Sequence, residues 1–265
     1  NYDKIVFCRR DIKEITIPSF IKIIGPGSFS FCRQLQRIDI PPHVTKICEN
    51  AFMQCSQLQQ VNIPSNSELH TIEKHAFSWS EIENIFIPPH VTKICTNVFR
   101  QCKKLCIIDI PSNSELHTIE SDAFYGSTIE SIFIPAGVID LKEEWCNFTY
   151  KLTKVRVDPR NSRYSYFNEQ MIICKTTETN ENYDKIVFCR RDIKEITIPS
   201  FIKIIGTDAF KQCYHLQRID IPSNSELQTI EEEAFSCSSI SSIFIPASLI
   251  DLKENWCSYA LKLTT

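Results

Sequence analysis

Residues 35–55 read Leu35-Gln36-Arg37-Ile38-Asp39-Ile40-Pro41-Pro42-His43-Val44-Thr45-Lys46-Ile47-Cys48-Glu49-Asn50-Ala51-Phe52-Met53-Gln54-Cys55. Leu35, Ile38 and Ile40 form an L-x-x-I-x-I pattern in which the isoleucines alternate with polar residues, the period of a half-buried strand. Pro41 ends that strand, because proline has no N–H to give a ladder. Val44 and Ile47 start a second short apolar stretch, and Ala51-Phe52 followed by Cys55 reads as a compact turn or single helical turn with the Phe inward. One such unit cannot bury its own apolar face, so copies must stack.

Copies fill the chain. Ile-Pro steps fall at Pro18, Pro41, Pro64, Pro88, Pro111 and Pro135, and again at Pro199, Pro222 and Pro246, spaced by 23 or 24 residues within each run. Two flavours alternate: IPPHVTKIC at 40–48 and 87–95, and SNSELHTIE at 65–73 and 112–120, so the higher period is 47. The block 1–25 recurs letter for letter at 182–206, and LKEEWC at 141–146 has a near copy, LKENWC, at 252–257. Whole coils can be gained or lost without breaking such a pattern, as a stack of nearest-neighbour contacts tolerates. About ten coils are expected, the last cut short at Leu263.

The period breaks between Pro159 and Pro199. MIICK at 171–175 and KIVFC at 185–189 read as two strands around the polar loop TTETNENYD, which predicts a β-hairpin inserted between coils. The expected organisation is a single solenoid over 1–265, with coils over 1–159, the insertion at about 160–191 and coils over 192–265. The identical KIVFC at 4–8 has no strand before it, and an unpaired edge there is sticky; the chain is expected to begin inside a longer protein.

The pattern I-P-x-x-V-x-x-I-x-x-x-A-F-x-x-C-x-x-L at 23 residues, carried best by 40–58, resembles the Treponema pallidum type of leucine-rich repeat found in BspA-like proteins. VDPRNSRY at 157–164 resembles that family's interruption, and SNSELQTIE, LKENWC and RRDIKEITIPSFIKIIG resemble its trichomonad surface-antigen branch. The resemblance implies an α/β leucine-rich repeat solenoid, strand-rich, in a cell-surface or secreted adhesin or antigen. Where that pattern has Gly after the second strand, Gly25 and Gly206 keep it, whereas Cys48, Glu73, Cys95, Glu120 and Glu231 replace it. Positive φ is therefore not expected to be required at that position.

Composition narrows function further. A formal net charge of −3, from 29 basic and 32 acidic residues, offers no polycation for nucleic acid or anionic lipid. No apolar run reaches the roughly 18 to 20 residues of a spanning helix, so membrane insertion within this segment is not expected. The 13 cysteines are odd in number and recur with the repeat, which favours small buried hydrophobes and free thiols over disulfides. No C-x-x-C pair is present, so neither a metal nor a cofactor is expected.

No catalytic residue is expected either. His43 matches His90 and His70 matches His117, so these side chains form ladders along the stack instead of converging, and no nucleophile, phosphate-loop or dinucleotide motif occurs. Asn147-Phe148-Thr149 is the only glycosylation sequon, a possible site if the chain is secreted.

Binding of a protein partner, such as a host surface or matrix protein, fits better. The fifth residue of each strand unit reads Thr16, Asp39, Asn62, Phe86, Asp109, Phe133, Arg156, Thr197, Asp220 and Phe244, an outward column. Phe86, Phe133 and Phe244 are expected exposed there, Phe86 and Phe133 flanking Asp109 with Ile107 beside it. Phe86, Ile107, Asp109, Phe133, Arg156 and Phe244 are the expected partner-binding residues, read as a non-enzymatic recognition face. An intracellular scaffold using the same face is the alternative. Trp145 and Trp256 share one repeat position and are expected to plug the core.

Overall fold

The structure is a computed structural model that describes residues 3–177, 179–260 and 262–263. Asn1 and Tyr2 of the repeated block, Glu178 of the polar loop, and Leu261, Thr264 and Thr265 of the last copy lie outside the described residues. The chain forms two compact units, 1–149 and 150–265, built of the same β-solenoid coil, with about 11 turns in all.

Unit 1 carries β1 (Lys4–Ile5), β2 (Ile23–Ile24), β3 (Arg37–Asp39), β4 (Lys46–Ile47), β5 (Gln60–Asn62) and β6 (Thr71–Ile72). It continues with β7 (Asn84–Phe86), β8 (Lys93–Ile94), β9 (Ile107–Asp109), β10 (Thr118–Ile119), β11 (Ser131–Ile134) and β12 (Asp140–Leu141). Unit 2 carries β13 (Lys154–Val157), β14 (Tyr164–Phe167), β15 (Met171–Cys174), β16 (Lys185–Cys189) and β17 (Glu195–Thr197). Its last strands are β18 (Ile204–Ile205), β19 (Arg218–Asp220), β20 (Thr229–Ile230) and β21 (Asp251–Leu252).

Each coil lays one strand on each of two parallel sheets. In unit 1, β3, β5, β7, β9 and β11 follow one another in the first sheet, while β1-β2-β4-β6 and β8-β10-β12 run along the second side. The middle residue of every first-sheet strand points inward: Ile38, Val61, Ile85, Ile108 and Ile132 are buried. Val44 and Ile47 close the same core from the second side, as their spacing predicts.

The third side is a ladder of turns, and here the α/β expectation is corrected: among the described residues there is no helix. The hydrogen-bond accounting shows why. Ala51, Met53 and Cys55 donate their N–H groups back within the coil to Cys48, Asn50 and Phe52, whereas Asn50, Phe52 and Gln54 donate to Lys74, Ala76 and Ser78 of the next coil. A helix keeps its N–H groups for itself; this backbone sends half of them to its neighbour and so pairs every one. Alternation requires two left-handed residues per coil, found at Asn50 and Gln54, His75 and Trp79, Asn97 and Gln101, and Glu144 and Phe148. In unit 2 the pairs are Asp208 and Gln212, Glu233 and Cys237, and Asn255 and Tyr259.

Inside the turn ladder the phenylalanines stack. Phe29, Phe52, Phe77, Phe99 and Phe124 lie in nearly parallel planes with centroids 5.0, 5.3, 5.9 and 5.7 Å apart. Trp145 then meets Phe124 edge-on at 6.1 Å, and in unit 2 Trp256 meets Phe235 edge-on at 5.8 Å, so both tryptophans occupy the Phe position of their coil. The 47-residue period also has a physical origin. Relative to the Pro41–Val44 corner, the Pro64–Leu69 corner is two residues longer, its Ser67 hydroxyl accepting from Leu69 N–H at 3.2 Å. The turn after Phe77 is one residue shorter, and the stack stays in register.

The expected hairpin is a three-stranded antiparallel meander. β14 pairs with β15, and β15 with β16 through a bulge between Ile172 and Ile173. Lys185–Ile186 of β16 then pair in parallel with Ile204–Ile205, so this strand is also the first rung of the following sheet. The third strand was invisible in the sequence because Tyr164–Phe167 is a polar-aromatic run with no apolar alternation.

Candidate functional site

The first sheet of unit 1 presents two outward columns. One contains Arg37, Gln60, Asn84, Ile107 and Ser131; the other contains Asp39, Asn62, Phe86, Asp109 and Phe133. The register is direct: Thr16 bridges Asp39, Asp39 faces Asn62, and Phe86 faces Asp109. Neighbouring strands are about 4.8 Å apart, so each column is a continuous row of side chains.

The two ends of this face differ in chemistry. At the β3 end Arg37 pairs with Asp39 at 3.1 Å, and the Asn62 amide donates to Asp39 Oδ1 at 2.6 Å. The hydrogen bond from Asn62, joined by Arg37, outweighs desolvation and holds the Asp39 carboxyl below its ordinary value. Three coils on, the same column offers Asp109. It is exposed, and among the described residues no side chain pairs with its carboxylate. Phe86 on β7 and Phe133 on β11 flank it, and Ile107, 53 % exposed, stands on its own strand. The result is a carboxylate set among apolar side chains.

The phenylalanines depart from expectation in exposure. Phe86 and Phe133 are half-buried. Phe244 in unit 2 is exposed, at 61 %, but residues 241–246 form no strand, so it does not continue a sheet column. Arg156 is exposed on β13 of unit 2. Asn147 is 4 % exposed, its N–H bonded to Glu144 and its carbonyl to Gly126, and Thr149 turns its hydroxyl to the Cys146 carbonyl. The folded turn hides this sequon, so a glycan could be attached only before the turn closes.

The other repeated polar residues hold coils together. His43 pairs with Glu68 at 2.9 Å and His90 with Glu115 at 3.0 Å, each bridging to the next coil. Glu73 accepts the Glu49 N–H at 2.8 Å and meets Lys46 at 2.6 Å; Glu120 accepts the Thr96 N–H at 2.8 Å and meets Lys93 at 3.0 Å. Burial opposes ionisation of both carboxyls, but the lysines and backbone donors outweigh it and hold them below their ordinary value. Gly25 and Gly206 occupy the equivalent position without positive φ; a Cβ on Gly206 would stand 2.6 Å from the Ile186 carbonyl oxygen, so close approach is what glycine serves there. The cysteines are free thiols, and burial pushes Cys55 and Cys102 up to about 12.

Sequence reading missed one set of exposed side chains. Phe31 and Trp79 project from left-handed turn positions immediately before the Cys or Ser of their coils, Trp79 half-exposed at 51 %. A bulky residue at positive φ is strained, and Phe31 and Trp79 themselves do not mark their turns as left-handed, although Asn50, Asn97 and Gly126 do so at other turns of the ladder.

A family model for the BspA type leucine rich repeat region, with 6 copies, matches residues 2–70, 22–153, 70–180 and 162–265. The chain belongs to this family. No curated protein matches it. Among solved structures, this BspA type chain is similar to the pneumococcal vaccine antigen PcpA, with 21 % identity, a TM-score of 0.71, and coverage of 86 % of this chain and 60 % of that one. It is also similar to a leucine rich cell surface protein from Faecalibacterium prausnitzii A2-165, with 22 % identity, a TM-score of 0.65, and coverage of 95 % and 79 %. A leucine-rich repeat protein from Eubacterium ventriosum ATCC 27560 has 19 % identity, a TM-score of 0.60, and coverage of 96 % and 66 %. These likenesses establish the shared fold; the chain spans about 60 % of the length of PcpA. The BspA type match indicates a repeat scaffold and no enzymatic family, and among the described residues no helix is long and apolar enough to cross a membrane.

Proposed function

We propose that the chain is a non-enzymatic protein-binding scaffold that works at a cell surface, recognising host or neighbouring-cell proteins or matrix. The carrying observation is the unpaired Asp109 carboxylate set among Phe86, Ile107 and Phe133, against the neutralised Asp39 of the same column. A basic side chain of a partner meets that carboxylate while apolar groups cover the rings, which is how interfaces concentrate energy. Arg156 and Phe244 of unit 2 are proposed as further contacts. Surface location is supported by family membership and by relatives whose descriptions are a vaccine antigen and a cell surface protein.

One observation favours the intracellular alternative: 13 free cysteines suit a reducing compartment. Antibody staining of intact, unpermeabilised cells separates the two. The binding face itself is tested by the double variant Phe86→Ser/Phe133→Ser in pull-downs against surface proteins. Loss of capture with an unchanged melting temperature supports the face; unchanged capture, or a large loss of stability, overturns it.

A further inference from the structure

Glu226 occupies the same repeat position as Glu68 and Glu115, but it has lost their partner. Glu68 and Glu115 each donate a backbone N–H to the preceding coil, at Pro42 and Pro89, and each carboxylate meets the histidine that follows that proline, His43 or His90. Glu226 makes the same backbone bond, to Ser200, yet Phe201 stands in the place of the histidine. Among the described residues no other side chain pairs with the Glu226 carboxylate. Lys203 stands where those coils have Thr45 and Thr92, and its ammonium is likewise unpaired.

The two charges line one cavity of about 440 Å³ in unit 2, together with Tyr183, Phe201 and Asn182. Its other wall, residues 180–184, belongs to the segment that breaks the period, and hydrogen bonds fix it in place. The buried Asp184 carboxylate accepts from the Thr176 N–H at 3.0 Å, the Thr176 hydroxyl at 2.9 Å and the Asn180 amide at 2.7 Å, and the Asn180 side-chain carbonyl accepts the Asn182 N–H at 3.2 Å. Phe201 is held edge-on by Phe167 at 5.7 Å and keeps 38 % of its surface exposed.

We infer that this cavity binds a free α-amino acid with an aromatic or branched aliphatic side chain. The α-ammonium takes the missing histidine's place against Glu226, the α-carboxylate meets Lys203, and the side chain packs on the rings of Phe201 and Tyr183. A volume of about 440 Å³ lies within the range of small-molecule pockets. An amine or an acid alone leaves one of the two protein charges unpaired, so the zwitterion is selected. The site is independent of the Asp109 face.

The test is isothermal titration calorimetry of the full chain with L-phenylalanine and L-leucine. The expected result is saturable binding of one molecule per chain, with L-phenylalanine at least tenfold tighter than phenethylamine, which lacks the carboxylate, or hydrocinnamate, which lacks the ammonium. Glu226→Gln and Lys203→Thr each weaken L-phenylalanine binding at least tenfold, and Phe201→His, which returns to Glu226 the partner found in the other coils, abolishes it. Histidine and threonine already occupy these places in unit 1, so both variants suit the coil, and a thermal melt no lower than that of the wild-type chain confirms that they fold. Absence of saturable binding by both amino acids overturns the inference, as does binding indifferent to Glu226→Gln or to Phe201→His. Equal affinity for the amine or the acid also overturns it, since one charge would then suffice. So does Phe201-dependent binding of glucose in place of either amino acid, the cavity then being a sugar site.

Discussion

Phe77 has a stacked ring on either side, at 5.3 and 5.9 Å, and no exposure, so its removal leaves a cavity that neighbouring coils cannot fill. Phe77→Ala should cost about 3–5 kcal/mol in urea unfolding. Glu120 gives a pH-dependent counterpart. Its folded carboxyl titrates below its ordinary value, so the stabilisation it contributes is present above the unfolded value, about 4.3, and is lost as pH falls through the lower folded value. Glu120→Gln should flatten the acid limb of the stability curve between pH 5 and 3, and Glu120→Ala, which orphans the Thr96 N–H, should cost about 1–2 kcal/mol at pH 7. At this scale the sequence was informative about burial: inward Ile, Leu, Phe and Cys all follow from period alone. It was silent about Glu73 and Glu120, whose partners lie a whole coil away and become visible only when coils are stacked.

At the scale of elements, strands ending in Ile-Pro were legible because proline stops a ladder, whereas the turn side was not. Left-handed turns are usually announced by glycine, but among the described residues only Gly27 and Gly126 do so here, most of these positions carrying residues such as Asn, Asp, Gln, His, Trp and Glu, and the recurring Gly25 and Gly206 serve a different purpose. Gly206 sits under the Ile186 carbonyl oxygen, beside the Lys185 side chain that pairs with Glu231 at 2.7 Å. Gly206→Ala should therefore lower the melting temperature of the chain, and by more than Gly27→Ala, whose added Cβ has nothing nearer than 3.9 Å but must hold positive φ. The reverse order would show that dihedral strain outweighs close approach. The meander escaped the sequence for a related reason: its first strand has neither apolar alternation nor a turn signal, and only pairing with Met171–Cys174 makes Tyr164–Phe167 a strand.

On the scale of the whole molecule, repetition and function separate. Residues that recur in every coil are buried or tie one coil to the next, so they are spent on stacking. What is free to specify a partner is what varies along the outward columns: Ile107 where other strands of this face have Arg, Gln, Asn or Ser, and Phe86 and Phe133 where others have Asp or Asn. Both outward columns of this face could be written down from the strand period, but not the difference between Asp39 and Asp109, because the pairing of Asp39 with Arg37 and Asn62 is a matter of side-chain reach. That difference is the most direct test of the central claim. The measurement is the affinity of Asp109→Asn and Asp39→Asn variants for one partner captured by the wild-type chain. Loss of a charge-assisted contact worth about 1.5–3 kcal/mol should weaken Asp109→Asn at least tenfold, while Asp39→Asn should stay within twofold. Equal affinities for the two variants would contradict a binding face centred on Asp109.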